Sequence, residues 1–436
     1  MLQIPYLNSF KKRGESNNNT LRRKLDEMDM VNYKLKTNPT DEACRVCMVG
    51  YAEYLSDVRI RREAEALVRQ GYSVDVICLK QKDLARYEVA NGVKIHRISL
   101  SKYRGSGAIR YAMSYMFFFV MSAWVLLWLH LKRKYHIIQF HTLPDFIIFA
   151  GLTPKWLGAK LLLDMHEVMP EFYMTKFKVP ASHWIIRFLR YIEHVSIQFA
   201  DAVIVVNDPI KRLIIDRCHP HSPVEIIMNT VDEDWVLRNS SKACQTSNTF
   251  ILMYHGTLTP LYGLDVAIRA MSILKKKIPL IEFWIFGDDS DSDDLKKLAV
   301  EQGVQDIVIF KGRIPLSEIP RQIQKVNIGI LPTIQDEFID LSFSNKLAEY
   351  VFMNTPVVAT KLKSTLEYFA EDSMSYFESG QFEDLASCVY TLYNNKSLRE
   401  KQTAKAFEHY QIIKWSIMEE RYINMIKDLR NSNKVQ

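Results

Sequence analysis

Short apolar runs alternate with longer amphipathic stretches along most of this chain. In its first half these runs lie at 46–49, 74–79, 137–140, 159–164 and 202–206. Runs of this length, rich in Val, Ile and Leu, are typical of strands that are buried on both faces. A basic amphipathic helix is predicted over 59–70, between the first two strands, and Gly71 ends it. Strands that alternate with helices indicate a parallel sheet covered on both sides.

The same pattern starts again near residue 250. Its predicted strands lie at 250–254, 281–286, 307–310, 328–331 and 357–359. The polar stretch before this series is typical of a linker, and a helix without Gly or Pro is predicted over 407–429. The predicted fold class is therefore α/β, with two doubly wound parallel-sheet (Rossmann-like) domains that face each other across a cleft.

These patterns divide the chain into five predicted parts. They are a disordered or peripheral extension (1–40), an N-terminal domain (41–235), a linker (236–249), a C-terminal domain (250–405) and a C-terminal helix (406–436). The 436 residues are 48% hydrophobic and 25% charged, which allows two hydrophobic cores and excludes a chain that is disordered throughout. The six cysteines are scattered, which does not suit a disulfide framework and favours a reducing, cytoplasmic setting.

The positive net charge of +7 comes from one region of the chain. The window 89–144 contains eight basic residues and no Asp or Glu, whereas the remainder is close to neutral. Because the basic charge is local, nucleic acid is not predicted as a partner.

An uncharged, aromatic-rich run at 111–131 lies inside this basic window. Three interpretations are open: a core helix of the first domain, a helix that lies in a membrane interface, or a spanning helix. Spanning is disfavoured because strands are predicted on both sides of the run and are expected to share one sheet. The interfacial interpretation predicts peripheral membrane contact through 104–134, at the cytoplasmic, inner face of a membrane.

Glycine and polar residues follow several of the predicted strands. His141 follows the strand at 137–140, Gly256 and Thr257 follow the strand at 250–254, and Gly287 follows the strand at 281–286. In α/β sheets these carboxyl ends bind ligands, and a glycine there lets backbone N–H groups approach a phosphate. No GxGxxG follows the first strand and no GxxxxGK[ST] is present, which disfavours a dinucleotide cofactor and a P-loop NTPase.

Several motifs together resemble glycosyltransferase family 4. In the second domain they are His255-Gly256-Thr257-Leu258-Thr259-Pro260 with Tyr262-Gly263-Leu264-Asp265, and Asn345-Lys346-Leu347-Ala348-Glu349-Tyr350. In the first domain they are Asp57-Val58-Arg59-Ile60-Arg61-Arg62-Glu63-Ala64 and Asp164-Met165-His166-Glu167. The resemblance covers about residues 45–429.

The resemblance implies the GT-B architecture and sugar transfer from a nucleotide-diphosphate donor, with retention at the anomeric carbon. The expected co-substrate is a UDP- or GDP-sugar, the expected acceptor is a glycan or lipid-linked hydroxyl, and no bound cofactor or metal is expected. The first domain would take the acceptor, the second would bind the donor, and the last helix would cross back to the first domain.

The resemblance also implies roles for particular residues. The expected catalytic residues are His141 and Glu349. The expected donor-binding residues are Gly256, Thr257, Gly287, Arg313, Asn345, Lys346 and Glu349, with Lys346 and then Arg313 as candidates for the diphosphate. The expected acceptor-side residues are Gly50, His166 and Glu167.

Two motifs depart from the family pattern. Leu341 stands where the first of two paired glutamates is expected, and Thr257 with Leu261 or Tyr262 stands where a basic pair is expected. Two further hypotheses therefore stay open: a sugar-nucleotide 2-epimerase of the same architecture, and a non-catalytic, membrane-docked subunit that binds nucleotide sugar.

Overall fold

A computed structural model describes residues 44–103, 107–240, 248–287 and 292–431 of the chain. The predicted extension, 1–40, and residues 241–247 of the predicted linker lie outside the described residues. Two separate sheets organise the described part of the chain, and each forms the centre of one lobe.

The sheet of the first lobe contains eight strands in the order β3-β4-β2-β1-β5-β6-β7-β8. They are β1 (Arg45–Gly50), β2 (Ser73–Leu79), β3 (Tyr87–Ala90), β4 (Val93–Ile98), β5 (Ile137–His141), β6 (Lys160–Met165), β7 (Ala202–Val205) and β8 (Val224–Ile226). The five strands predicted for this half are all present, because their apolar side chains fill a sheet that helices cover on both faces. The predicted parallel pairing holds among β4, β2, β1, β5, β6, β7 and β8.

The edge strand β3 was not predicted, and it runs antiparallel to β4. The two strands are joined at Asn91 and Gly92, whose φ angles of 49° and 80° are those of a tight hairpin turn. An Asn-Gly pair between short β-rich segments is the sequence signal for such a hairpin. Among the described strands, this sheet is therefore parallel except for β3 at its edge.

The sheet of the second lobe contains six parallel strands in the order β11-β10-β9-β12-β13-β14. They are β9 (Phe250–His255), β10 (Ile281–Phe286), β11 (Val308–Gly312), β12 (Ile328–Leu331), β13 (Val357–Thr360) and β14 (Ser375–Phe377). The first five match the predicted strands, whereas the three-residue β14 is too short to stand out as an apolar run. In both sheets the order reverses beside the first strand, which opens a crevice at the carboxyl ends.

Helices cover both sheets. Those of the first lobe are α1 (Val58–Arg69), α2 (Ala108–Arg133), α3 (Leu152–Trp156), α4 (Met169–Phe177), α5 (Trp184–Phe199), α6 (Asp208–Cys218) and α7 (Glu233–Asn239). Those that follow are α8 (Leu264–Leu274), α9 (Ser292–Glu301), α10 (Ile319–Ile323), α11 (Asn345–Phe352), α12 (Lys363–Leu366), α13 (Phe382–Asn394), α14 (Lys396–Tyr410) and α15 (Trp415–Asn431).

The single helix predicted over 407–429 is two helices, α14 and α15. The carboxylate of Glu233 explains the break, since it accepts hydrogen bonds from the Tyr410 hydroxyl and from the backbone N–H of Trp415, each at 2.8 Å. The second of these bonds satisfies an N–H at the start of α15 that has no partner within the helix. From there α15 packs on the first lobe, where the guanidinium of Arg62 lies 3.8 Å from the centre of the Trp415 ring.

Helix α2 lies along the first lobe. By length and composition this helix could span a membrane. Only 28% of its most apolar window is buried in the protein, so most of that window faces outward. Its inner face packs through Tyr115, Phe118, Ser122, Leu126 and Leu129. The core interpretation therefore holds for one face of this helix, and strands β4 and β5, which flank it in sequence, do belong to one sheet.

The two lobes touch beside the crevice. The rings of Phe172 and Phe338 pack edge to face with their centres 5.7 Å apart, and Arg212 pairs with Glu367 at 2.9 Å. The Asn207 side chain donates to the carbonyl of Leu341 at 2.6 Å. Leu341, the position where a glutamate was expected, therefore packs at the lobe interface and supplies a backbone acceptor to it.

Candidate active site

A pocket of about 210 Å³ opens in the first lobe at the carboxyl ends of β1, β5 and β6. Four residues predicted for catalysis or the acceptor side line it together: Gly50, His141, His166 and Glu167. Gly50 lies opposite His141 in the sheet. A Cβ atom on Gly50 would come within 2.7 Å of Ile60 Cδ1, so a larger residue here would displace the end of that side chain.

Two histidines and one aspartate form a buried cluster in this pocket. Asp164 Oδ2 lies 2.8 Å from His141 Nδ1 and 3.1 Å from His166 Nε2. Burial alone would raise the pKa of the Asp164 carboxyl, but the two imidazoles outweigh burial and hold it well below its usual range. Because a carboxylate only accepts hydrogen bonds, the His141 nitrogen that faces it carries the proton.

The other ring nitrogen of His141, Nε2, is consequently an acceptor. It is buried and has no hydrogen-bond partner among the described residues. Since His141 lines the pocket, this lone pair is available to a hydroxyl group of a bound ligand.

A second layer of hydrogen bonds holds Asp164 in place. The Gln139 amide donates to Asp164 Oδ2 at 3.1 Å and to Glu63 Oε2 at 2.7 Å. The Tyr422 hydroxyl, on α15, donates to Gln139 Oε1 at 2.6 Å. The last helix is therefore connected to His141 through Gln139 and Asp164. Sequence analysis gave Gln139 no role, although a glutamine inside a buried apolar strand is the signal that could have identified it.

The ligand atoms of His141, Asp164 and His166 lie within 4.8 Å of one another, as a metal site would require. The same separations are those of hydrogen bonds, and the Gln139 amide already occupies Asp164 Oδ2. The cationic side chain of Arg59 also acts on His166, whose pKa is lowered first by burial and then by this charge. A nearby cation opposes a second one, so we interpret the cluster as hydrogen-bonded, and the expectation of no metal stays a prediction.

Charged side chains line the rest of this pocket. Asp57 caps α1 and pairs with Arg59 at 3.0 Å. Burial would raise the pKa of Asp57, but Arg59 lowers it below its usual range. Glu167 forms no hydrogen bond or ion pair with the described part of the chain, and burial raises its pKa against the opposing charges of Arg59 and Lys102. The pocket thus offers a carboxylate and a guanidinium to a polar ligand.

Lys346 and Glu349 lie one turn apart on α11, in the second lobe. The Lys346 ammonium lies 4.3 Å from the centre of the Tyr262 ring, and its side chain crosses the backbone of Gly256. Tyr262 lies near where the family pattern has a basic residue. Its ring therefore contributes a π face that holds the Lys346 ammonium. This contact was not predicted from the sequence.

Burial shifts both charged groups of α11. It lowers the pKa of Lys346 to about 8 and raises that of Glu349 to about 7, and each charge partly offsets the effect on the other. The Glu349 side chain keeps 33% of its surface exposed, so contact with water offsets part of the effect of burial on its pKa. The buried His255 lies 3.3 Å from Glu349, and burial followed by the Lys346 charge lowers its pKa to about 3, so His255 is neutral.

The remaining predicted donor-side residues differ in how closely they join this cluster. Gly287 abuts it, because a Cβ atom there would lie 2.1 Å from the Gly256 carbonyl oxygen. Thr257 and Asn345 lie beside it on the chain and are exposed. Arg313 is exposed at the end of the edge strand β11 and forms no hydrogen bond or ion pair with the described residues. Its neighbour Gly312 accepts a hydrogen bond from the N–H of Gly287 at 3.0 Å, and the role of Arg313 stays a prediction.

The two clusters approach each other at Tyr262. Burial raises the pKa of Tyr262, and the charge of Glu167 in the first lobe raises it further. Leu261, the neighbour of Tyr262, and Phe172, which lines the His141 pocket, pack against the same small apolar cluster. The second-lobe segment that contains Tyr262 therefore lies beside the pocket of the first lobe.

Substitution of Gly256 by alanine is expected to weaken nucleotide binding at least tenfold while the protein stays folded. Gly256 has a φ of +125°, and the added Cβ would lie 2.5 Å from the Lys346 side chain, which would have to leave its place. Isothermal titration with UDP and with GDP measures the effect. Gly303→Ala is the matched control, since Gly303 has a φ of +65° with open space around it. Equal losses in both variants would show that backbone strain, and not the Lys346 position, is responsible.

Two facing α/β lobes, with polar clusters at the carboxyl ends of their strands, define the GT-B class of fold. Matches to known proteins agree with this class. Residues 57–235 match the family model described as Glycosyltransferase Family 4, and residues 249–395 match the model described as Glycosyl transferases group 1. The chain is a GT4-like glycosyltransferase, as the motif resemblance predicted.

Curated relatives match part of the chain. A D-inositol 3-phosphate glycosyltransferase of Thermomonospora curvata is 23% identical over 188 residues, which are 41% of this chain and 42% of the relative. A poly(ribitol-phosphate) alpha-N-acetylglucosaminyltransferase of Staphylococcus aureus is 25% identical over 175 residues, 40% of this chain and 34% of the relative. The matched part thus spans less than half of the length of these relatives.

Solved structures match nearly the whole chain. Sucrose-phosphate synthase from Thermosynechococcus elongatus superposes with a TM-score of 0.71 at 15% identity, covering 89% of this chain and 100% of that one. The Anabaena HepE protein in complex with UDP superposes with a TM-score of 0.64 at 14% identity, covering 88% of this chain and 100% of that one. At these identities the likeness establishes the GT-B fold.

Proposed function

We propose that this protein transfers a sugar from a nucleotide-diphosphate donor to a hydroxyl acceptor, with retention at the anomeric carbon. One observation carries the proposal: a half-buried lysine on a helix of the second lobe lies over Gly256 and against Tyr262, in the segment that packs beside the His141 pocket of the first lobe. This arrangement provides a cation for a leaving group on one side and a hydrogen-bond acceptor for a hydroxyl on the other.

On the donor side, Lys346 neutralises the charge that develops on the departing nucleotide diphosphate. Gly256 and Gly287 leave room for the diphosphate to approach backbone N–H groups, and Thr257 and Asn345 offer further polar contacts. Glu349 accepts hydrogen bonds from hydroxyl groups of the ribose or the sugar. Arg313 follows Gly312, which is hydrogen-bonded to Gly287, and is a second candidate cation for the diphosphate.

On the acceptor side, His141 Nε2 accepts a hydrogen bond from a sugar or acceptor hydroxyl and orients it. Asp164 holds the ring orientation through Nδ1, and Gln139 holds Asp164. Glu167 binds a second hydroxyl, while His166 and Gly50 shape the wall of the pocket. His141 and Glu349 are thus the proposed catalytic residues, one on each lobe.

The donor base is proposed to be uracil or guanine, and the HepE protein, whose solved complex contains UDP, supports uracil. The acceptor is proposed to be a glycan or a lipid-linked hydroxyl. The basic window and the apolar outer face of α2 support contact with the cytoplasmic face of a membrane through 104–134, of which the structure describes 107–134.

A panel of UDP- and GDP-sugars, scored by release of nucleotide diphosphate with and without EDTA, tests this function. Release with at least one donor, unchanged by EDTA, is expected. Conversion of the donor to its epimer without an acceptor would instead identify a 2-epimerase. Saturable donor binding without any release would identify a binding subunit. The missing basic pair of the family pattern would then explain why the donor binds but no sugar is transferred.

A further inference from the structure

Helix α2 has two apolar faces, and only one of them packs on other residues that the structure describes. The outward stripe repeats at helical spacing and consists of Ile109, Met113, Met116, Phe117, Val120, Trp124, Trp128 and Leu131. Trp124 is 71% exposed, and the stripe extends about 33 Å at 1.5 Å per residue. Soluble monomers seldom expose a continuous apolar strip of this size, which indicates an interaction surface.

Two neighbouring elements of the first lobe continue the strip. Both α2 and α5 pack on the short turn Asp145–Gly151, through the ring pairs Phe119–Phe146 and Phe149–Phe199. Helix α3 follows this turn directly. The exposed apolar residues here are Leu152, Trp156 and Leu157 at α3, and Trp184, Phe188 and Tyr191 on α5. We call the outward residues of α2, α3 and α5 the aromatic face.

The charges around this face have one sign. Between residues 107 and 192, three of the four acidic side chains, Asp145, Asp164 and Glu171, are buried, and the fourth, Glu167, lines the acceptor pocket. The exposed basic residues of the same region are Arg110, Lys132, Lys134, Lys176, Lys178 and Arg187. Lys155 is half-buried and pairs with Asp201 at 3.2 Å. Aromatic side chains mixed with cations, without exposed acids, suit an interface with anionic lipid.

We propose that the aromatic face docks the protein on a bilayer leaflet rich in anionic lipid, with α2 parallel to the membrane surface. This surface goes beyond the segment 104–134, because α3 and α5 add six exposed apolar residues to the eight of α2. The Lys132 ammonium, which lies 3.6 Å from the centre of the Trp128 ring, places a cation at the edge of the apolar strip.

The position of the acceptor pocket gives this docking a consequence for the substrate. Tyr111 and Tyr115, on the first turns of α2, line the pocket that contains His141. An acceptor anchored in the membrane would therefore reach the pocket at the end of the aromatic face without leaving the interface. This last step rests on the proposed transferase function, whereas the docking itself does not.

Flotation of the full chain with vesicles tests the docking without donor or acceptor. Wild-type protein is expected to float with vesicles of phosphatidylcholine and phosphatidylglycerol, and about tenfold less with phosphatidylcholine alone. Trp156→Ser combined with Trp184→Ser should lower the bound fraction at least about tenfold, although both residues lie outside 104–134.

Matched variants distinguish membrane binding through the aromatic face from a general effect of hydrophobicity or charge. Leu157→Ser should weaken flotation, whereas Leu280→Ser, at a residue of similar exposure (58% against 56%) in the second lobe, should not. Arg187→Glu should weaken it, and Arg269→Glu on α8 should not. Equal flotation of all variants would overturn the proposal, as would a dimer in light scattering that only the aromatic-face variants dissociate. Because nucleotide release is measured separately, loss of docking and loss of transferase function are distinguishable.

Discussion

Replacement of Lys346 by alanine should lower kcat/KM for sugar transfer at least about a thousandfold. This side chain is the cation nearest the proposed diphosphate position in the described donor cluster, and removal of one preorganised electrostatic group typically costs a factor of a hundred to a thousand. The loss should be larger here because the basic pair of the family pattern is replaced by Thr257 and Leu261 or Tyr262. Nucleotide release under saturating and limiting donor gives kcat and KM separately.

The matched control is Lys277→Ala, because Lys277 also lies over a tyrosine ring of the second lobe, at 5.0 Å from Tyr390. The pH dependence adds a second criterion. A lysine whose pKa is lowered to about 8 loses its proton as the pH rises through 8. The dissociation constant of UDP should therefore rise about tenfold from pH 7 to pH 9 in the wild type, and not in Lys346→Ala. Near-normal transfer by Lys346→Ala would mean that the donor site lies elsewhere.

Replacement of His141 by alanine should lower kcat about a hundredfold and change the donor KM little. The lost group is an oriented acceptor that acts on a hydroxyl during transfer, and such groups contribute about a hundred- to ten-thousandfold. Asp164→Asn should cause a comparable loss, because an amide can face His141 with its N–H₂ group and reverse the ring's protonation pattern. Initial rates over a range of donor and acceptor concentrations give both parameters.

His221→Ala, at an exposed histidine of the same lobe, is the control for this series. Tyr422→Phe should reduce kcat only severalfold, since it removes one hydrogen bond from Gln139 and leaves Asp164 in contact with both histidines. An unchanged kcat in His141→Ala would reduce this histidine to a structural role. A raised donor KM with normal kcat would instead assign His141 to donor binding.

The fold could be predicted from the sequence wherever burial is uniform. Strands such as β5 and β9 are buried along their whole length and leave continuous apolar runs in the sequence. The edge strand β3 alternates exposed and half-buried residues, so it left no such run. The break between α14 and α15 was not predictable from local propensity, because its cause is Glu233, which is about 180 residues away in sequence.

The site likewise contains residues that a local motif predicts and contacts that no local motif predicts. Lys346, Glu349 and Gly256 could be predicted because a local motif carries each of them, and the structure brings them together. The hydrogen bonds from Tyr422 through Gln139 to Asp164 join three distant parts of the chain, and a single sequence contains no signal of that proximity. Arg313 follows the edge strand of the sheet, and its donor-side role stays a prediction.

The packing of α15 also bears on how the protein is made. Trp415, Met418, Tyr422 and Ile426 are buried in the same apolar cluster as Val46 and Ile137, strand residues from the beginning of the first lobe. A ribosome must therefore synthesise the polypeptide through α15 before this lobe can complete its interior. Until then an unfinished apolar surface remains for chaperones to shield, and a product truncated before residue 415 should be retained by them or precipitate.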